Sequence, residues 1–191
     1  MAKYFPEMLS EHQKFIKKQH VFFVATAPLD AEGHVNLSPK GYDTLRILSS
    51  TEIAYLDLTG SGNETSGHIS ENARITFMFC AFEGPPLILR LYGSGKVILP
   101  DTEEWNQMIG HFEMMPGARQ IILAKIHKVQ TSCGYSIPFM TYSGERETLI
   151  RSNTKKDEAE LENYLRDKNS STIDGILTPL GKKLSNDSKT T

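Results

Sequence analysis

Apolar and polar positions along this chain change over in short blocks far more often than they cycle with a helical period. VFFVATA (21–27), HVNLSP (34–39), TLRIL (44–48), EIAYLDL (52–58), RITFMFCAF (74–82), LILRLYGSGKVIL (87–99) and RQIILAKIHKVQ (119–130) are rich in β-branched and aromatic residues and are separated by turn residues. That pattern predicts strands, the second of them stopping at Pro39. Helical spacing is seen in fewer places. Phe5, Met8, Leu9, His12, Phe15 and Ile16 share one face and predict a helix over 5–16. DTEEW (101–105) opens another, with Asp101 or Thr102 as cap and Glu103 and Glu104 at its positive end. Trp105, Met108, Ile109 and Phe112 form its apolar face, and Pro116–Gly117 stops it. KKDEAELENYLRDK (155–168) reads as a late helix capped by Thr154, and 131–146 reads as a loop.

Six or seven close strands with two or three inserted helices predict a mainly β fold, a β-barrel with flanking helices. The connections are mostly too short for βαβ crossovers, so the sheet is expected to be antiparallel. One domain is expected over 1–178. The polar end, 179–191, is expected to be a disordered tail.

Composition narrows the function classes. The formal charge of −2 is near neutral and the 21 basic residues form no stripe, so nothing points to nucleic acid. No apolar run approaches the roughly 20 residues of a membrane span. The N-terminus, MAKYFPEMLSEHQKF, lacks the pattern of a secretory leader. Cys80 and Cys133 are far apart, which fits a reducing compartment and a cytoplasmic protein. The six histidines show no metal-ligand spacing, so no metal is expected.

Residues 58–69, LTGSGNETSGHI, carry the candidate chemistry. A Walker A loop needs a lysine that is absent here. The dinucleotide fingerprint Gly-x-Gly-x-x-Gly is nearly met by Gly60, Gly62 and Thr65. However, only residues 66–74 separate the loop from the next strand, too few for a crossover helix. Two readings stay open, a ligand-free turn and a turn whose backbone amides receive an anion.

The order of segments carries a resemblance that no single motif does. HVNLSPKG, then IAYLDLTGSGNET, then ENARITFMFCAFEGPP, then LRLYGSGKV resembles the FMN-binding split barrel of the pyridoxamine 5′-phosphate oxidase-like family. Within it the chain is similar to a subgroup of small proteins known only as members of that family, with further marks at SCGYSIPFM (132–140), GER (144–146) and KNSSTIDG (168–175). The likeness covers about residues 15–178. It implies a six-stranded antiparallel split barrel, FMN as cofactor, and a homodimer with each flavin in a cleft lined by both subunits. In the family, the strand matching NLSPKG runs along the isoalloxazine and ribityl groups, and the turn after AYLDL receives the phosphate. The resemblance thus selects Ser38, Pro39, Lys40, Thr59, Gly60, Asn63, Thr65 and His68 as cofactor contacts.

Two departures stand out. Asn63-Glu64-Thr65 replaces the basic run of the oxidases, leaving Lys40 as the nearest replacement cation and Arg46, Arg74 and Arg90 as others. The C-terminal arginine–histidine–arginine cluster that binds pyridoxamine phosphate is missing, for no histidine follows His127. The resemblance therefore implies an FMN-dependent oxidoreductase acting on an unknown small molecule. The alternatives are a non-catalytic flavin-binding or flavin-sensing protein, and a split barrel holding haem or a deazaflavin.

Overall fold

The computed structural model describes residues 2–187. In chain order the elements are β1 (Lys3–Phe5), α1 (Ser10–Ile16), β2 (Phe22–Thr26), β3 (Asn36–Lys40), β4 (Leu45–Ile47), β5 (Glu52–Leu58), α2 (Glu64–Asn72), β6 (Arg74–Cys80), β7 (Ile88–Ile98), α3 (Glu103–Met108), β8 (Ala118–Ser132), α4 (Thr148–Thr154), α5 (Glu158–Asn169) and α6 (Pro179–Asp187). A single 3₁₀ turn, Ile109–His111, follows α3.

The strands form one sheet in the order β3-β2-β6-β7-β8-β5-β4, with β1 added beside β8. Every pairing is antiparallel, as the short connections require. The sheet has eight strands where the resemblance implies six. The additions are short: β1 and β4 contribute three residues each. On the edge away from β7, β8 is long enough to serve two neighbours, pairing with β5 over its first half and with β1 near its end. The sheet curls into a split barrel. Phe22 on β2 and Tyr55 on β5 are far apart in the strand order, yet their rings lie 5.7 Å apart.

Burial follows from that curl. Val24, Ile53, Tyr55, Phe77, Leu89, Leu91, Ile122 and Ala124 fill the inside. Ala54, Leu56, Ile98 and Ile121 point the other way and are covered by Trp105 and Phe112. β5 is therefore buried on both faces, which explains why EIAYLDL reads as a continuous apolar run rather than an alternation. Asp57 shares the inward parity of Ile53 and Tyr55, and is 1 % exposed.

Several elements depart from expectation. The first helix starts at Ser10, not at residue 5, because Pro6 biases Phe5 to extended backbone; Phe5 ends β1 instead. β3 continues through Pro39 to Lys40, and it is an edge strand, where a residue without an N–H is tolerated. α5 is capped by Asp157 rather than Thr154. Asp157 accepts from the Glu160 amide while the Glu160 side chain accepts from the Asp157 amide. α4 occupies residues that carry no clear helical signal. Most of the expected tail is α6, docked through Leu180, Gly181 and Leu184; residues 188–191 lie outside the described residues. No helix among the described residues is long and apolar enough to cross a membrane.

Candidate functional site

β3 is inside-out. Its register sets Asn36, Ser38 and Lys40 opposite Thr26, Val24 and Phe22, which are buried, so the polar stripe faces inward. Leu37 is 62 % exposed and the neighbouring Val35 is 73 % exposed. A strand that hides its polar face and shows its apolar one is organised around something other than the barrel core.

The polar stripe meets the glycine loop at a cavity of about 360 Å³. Ser38, Pro39, Lys40, Thr59 and Gly60 all line it, together with Gly62, Glu64 and Arg119. Asn63, Thr65 and His68 do not. Asn63 stands at the N-cap of α2, but its side chain turns inward, where its Oδ1 accepts from Gln120 at 2.8 Å and its Nδ2 donates to the Asn169 carbonyl. Thr65 accepts from Asn36 at 3.0 Å. His68 is fully buried with Nδ1 3.0 Å from Thr26 Oγ1. Burial pushes its imidazole pKa down, against weaker upward pulls from Glu64, Asp174 and Glu71. Its Nε2 is buried without a hydrogen-bond partner among the described residues. Asn63 and Thr65 thus tie the end of the loop to the strands beneath it.

Asp57 organises the floor. Its Oδ1 accepts from Lys40 Nζ at 2.7 Å, and its Oδ2 from Arg119 Nε at 2.9 Å and Gln120 Nε2 at 2.8 Å. Burial alone would raise its carboxyl pKa; Arg119 and then Lys40 outweigh burial and hold it well below the usual carboxylate range. Arg119 is 4 % exposed and reaches the site through a defect in the sheet. The β5–β8 register slips between Asp57 and Leu58, pairing them with Gln120 and Ala118 and leaving Arg119 as the extra residue. Such a bulge re-aims one side chain. Arg119 thus gains Asp57 and also donates Nη1 to the Gly62 carbonyl at 2.9 Å, tying the loop to the sheet. Arg46, Arg74 and Arg90 are engaged elsewhere, with Asp43, Asn72 and Ser132 respectively, and none lines the cavity.

The loop is fastened on its other side too. Gly60 offers its carbonyl to Asn169 Nδ2 at 2.9 Å and to Tyr164 Oη at 3.3 Å. The Thr59 amide donates to the Gly117 carbonyl at 2.8 Å, and Asn153 Nδ2 donates to Thr59 Oγ1 at 2.9 Å. Replacing Lys40 by Met leaves Asp57 with Arg119 and Gln120, so the expected cost is about 1–2 kcal/mol. A lower midpoint in urea at unchanged slope is the readout.

A larger hollow of about 1040 Å³ lies between α1, the 82–87 turn and the irregular segment 133–147. Phe15, Phe23, Phe82, Met140 and Tyr142 line it, and His20 stacks on Tyr142 with ring centroids 3.6 Å apart. It is the bigger space, but the buried ion network and the glycine loop both belong to the smaller one. Among the described residues no cluster of His, Cys, Asp or Glu could hold a metal ion.

The donor set can be tested against the cofactor that the resemblance implies. Ser38 and the loop backbone suit the hydroxyl chain of a flavin, Thr59 lines the cavity with its hydroxyl held by Asn153, and Pro39, Leu56 and Leu58 offer apolar wall. A phosphate dianion fits less well, because both cavity cations already serve Asp57.

Comparison with known proteins agrees with this architecture. The family described as Pyridoxamine 5'-phosphate oxidase matches residues 8–133. The pyridoxamine 5'-phosphate oxidase family protein ustO of Aspergillus flavus is 40% identical over 154 residues, covering 75% of this chain and 59% of its own length. The chain thus spans well under two thirds of that relative. Among solved structures, HupZ of Group A Streptococcus (an H111A variant) aligns at 21% identity with a TM-score of 0.50, over 65% of this chain and 99% of its own. A putative pyridoxamine 5'-phosphate oxidase from Lactobacillus delbrueckii aligns at 16% identity with a TM-score of 0.51, over 65% of this chain and 94% of its own. At such identities the structures speak for the fold, while the match over residues 8–133 speaks for descent: the chain belongs to the pyridoxamine 5'-phosphate oxidase family.

Proposed function

We propose that this chain is a flavin-binding protein, an FMN-dependent oxidoreductase acting on a small molecule other than pyridoxamine phosphate. One observation carries the reading: in a chain of this family, Ser38, Pro39, Lys40, Thr59 and Gly60 gather at one cavity beneath the glycine loop. A flavin carries its own redox chemistry, so the protein's tasks are to bind it, orient it and exclude water. Here the inward stripe of β3 orients the ligand. The Asp57–Arg119–Gln120 network keeps the loop rigid against the sheet. Among the described residues α6 spends Lys183 on Asp101 rather than on a ligand, which supports a substrate other than vitamin B6 phosphate.

The cavity is small for a whole flavin, near the lower end of the roughly 300–1,000 Å³ of small-molecule sites. The exposed apolar residues Val35 and Leu37 beside it fit a second copy of the chain that completes the cleft. We place the working form as a homodimer with its cofactor sites at the subunit interface.

The absorption spectrum of the purified protein, before and after FMN addition and desalting, tests the reading. Retained flavin bands are the expected result. A protein that stays colourless after both steps refutes it.

A further inference from the structure

The corner of the cavity beneath the glycine loop is already charge-balanced by the chain. Its cations are Lys40 and Arg119, and both bond to Asp57. Glu64 lines the same cavity from the first turn of α2, where the positive end of a helix favours an anion. Its carboxylate folds back over the loop: a Cβ on Gly62 would lie 2.5 and 2.7 Å from the two Glu64 oxygens. Two cations and two carboxylates cancel. A phosphate monoester carries close to two negative charges near neutral pH. At this corner it finds no net positive charge, and it meets Glu64 as a like charge. The loop that would cradle a phosphate is thus supplied with a carboxylate of its own.

We propose that Glu64 takes the place of the ligand's anion, so that this cavity gains little from a terminal phosphate and holds FMN about as well as riboflavin. The inference rests on the flavin reading above and assigns Glu64 as its specificity-determining residue. Ser38 and the loop backbone face the hydroxyl chain in the same way whichever end group follows. Lys40 and Arg119 act on the loop and on Asp57, not on the ligand's charge.

The test is a fluorescence titration of the full chain, freed of flavin, with riboflavin and with FMN separately. The native protein is expected to bind the two within about threefold of each other. Glu64→Gln is expected to tighten FMN roughly tenfold and to move riboflavin less than about twofold, the FMN gain shrinking as salt is raised. Glu64→Asp, which keeps the charge, is expected to stay near the native preference. A native preference for FMN of about a hundredfold or more, or a Glu64→Gln effect equal for both flavins, overturns the inference and leaves the flavin reading standing. If neither flavin binds to the native protein or to the variants, the flavin reading falls and this inference falls with it.

Discussion

Asp57→Asn is expected to cost about 3–5 kcal/mol of folding stability and to lower the thermal midpoint by roughly 10–15 °C. The substitution keeps the shape of the side chain but removes its charge and turns one of its two acceptor oxygens into a donor that faces other donors. What remains is a buried Arg119, 4 % exposed, with no anion, and a half-buried Lys40 in the same state. Breaking one partner out of a buried ion network costs far more than the network contributes as a whole. Hence Asp57→Asn combined with Arg119→Met is expected to lose less than the sum of the two single changes. Acid titration provides an independent readout. The folded carboxyl titrates well below the ~3.9 of an unfolded aspartate. Its contribution is therefore complete above that unfolded value and is lost progressively as pH falls below about 5 toward the depressed folded value. Native protein should lose stability steeply on acidification, and Asp57→Asn should show a shallower slope. Equal slopes would mean that Asp57 is not paired in the folded state.

This network also marks the limit of what the sequence discloses. Asp57 sits inside the apolar run EIAYLDL, and an inward carboxylate requires a cation. Which cation answers it depends on the bulge that displaces Arg119, and a one-residue register slip leaves no periodic trace. Lys40 was legible as a cation of the site through the family resemblance, but as a partner for a ligand's phosphate and not for Asp57. The same division holds in the loop. Segment order was enough to bring Ser38, Pro39, Lys40, Thr59 and Gly60 to one cavity. It could not say which side of the loop Asn63 and Thr65 face, because that depends on Gln120 and Asn36 arriving from other strands.

The long strands were legible because β-branched and aromatic runs between turns have few other outcomes. α4 and α6 were not. α4 buries one polar residue, Asn153, and α6 buries Leu180 and Leu184 in an otherwise polar stretch. Both helices are held by tertiary contacts rather than by their own periodicity. α4 also belongs to the site's support, while α6 packs against the turn ahead of α3. Asn153 reaches Thr59, and Lys183 of α6 bonds Asp101 and the Pro100 carbonyl in that turn. The C-terminal third of the chain therefore acts on the glycine loop from outside the barrel, through side chains whose value no local pattern records.

Gly117→Ala is expected to cost about 2–4 kcal/mol, although it adds only one methyl group. Gly117 has φ +82°, a backbone conformation that a side chain strains. The space is occupied as well: its Cβ would sit 2.1 Å from Asn153 Nδ2 and 2.8 Å from Thr59 Oγ1. Asn153 would have to leave, and with it go its bonds to Thr59 and to the Pro116 carbonyl. Thr59 lines the cavity, and its amide depends on the Gly117 carbonyl, so the damage runs directly into the loop. α4 loses its only buried residue in the same step. Hydrogen exchange should therefore rise over residues 59–63 and 148–154 while β2, β6 and β7 stay protected. A variant with native stability and native exchange in both segments would show that α4 does not brace the loop. Loss confined to these two segments would show that the Thr59 side of the loop is braced from outside the barrel, by an amide packed against a glycine.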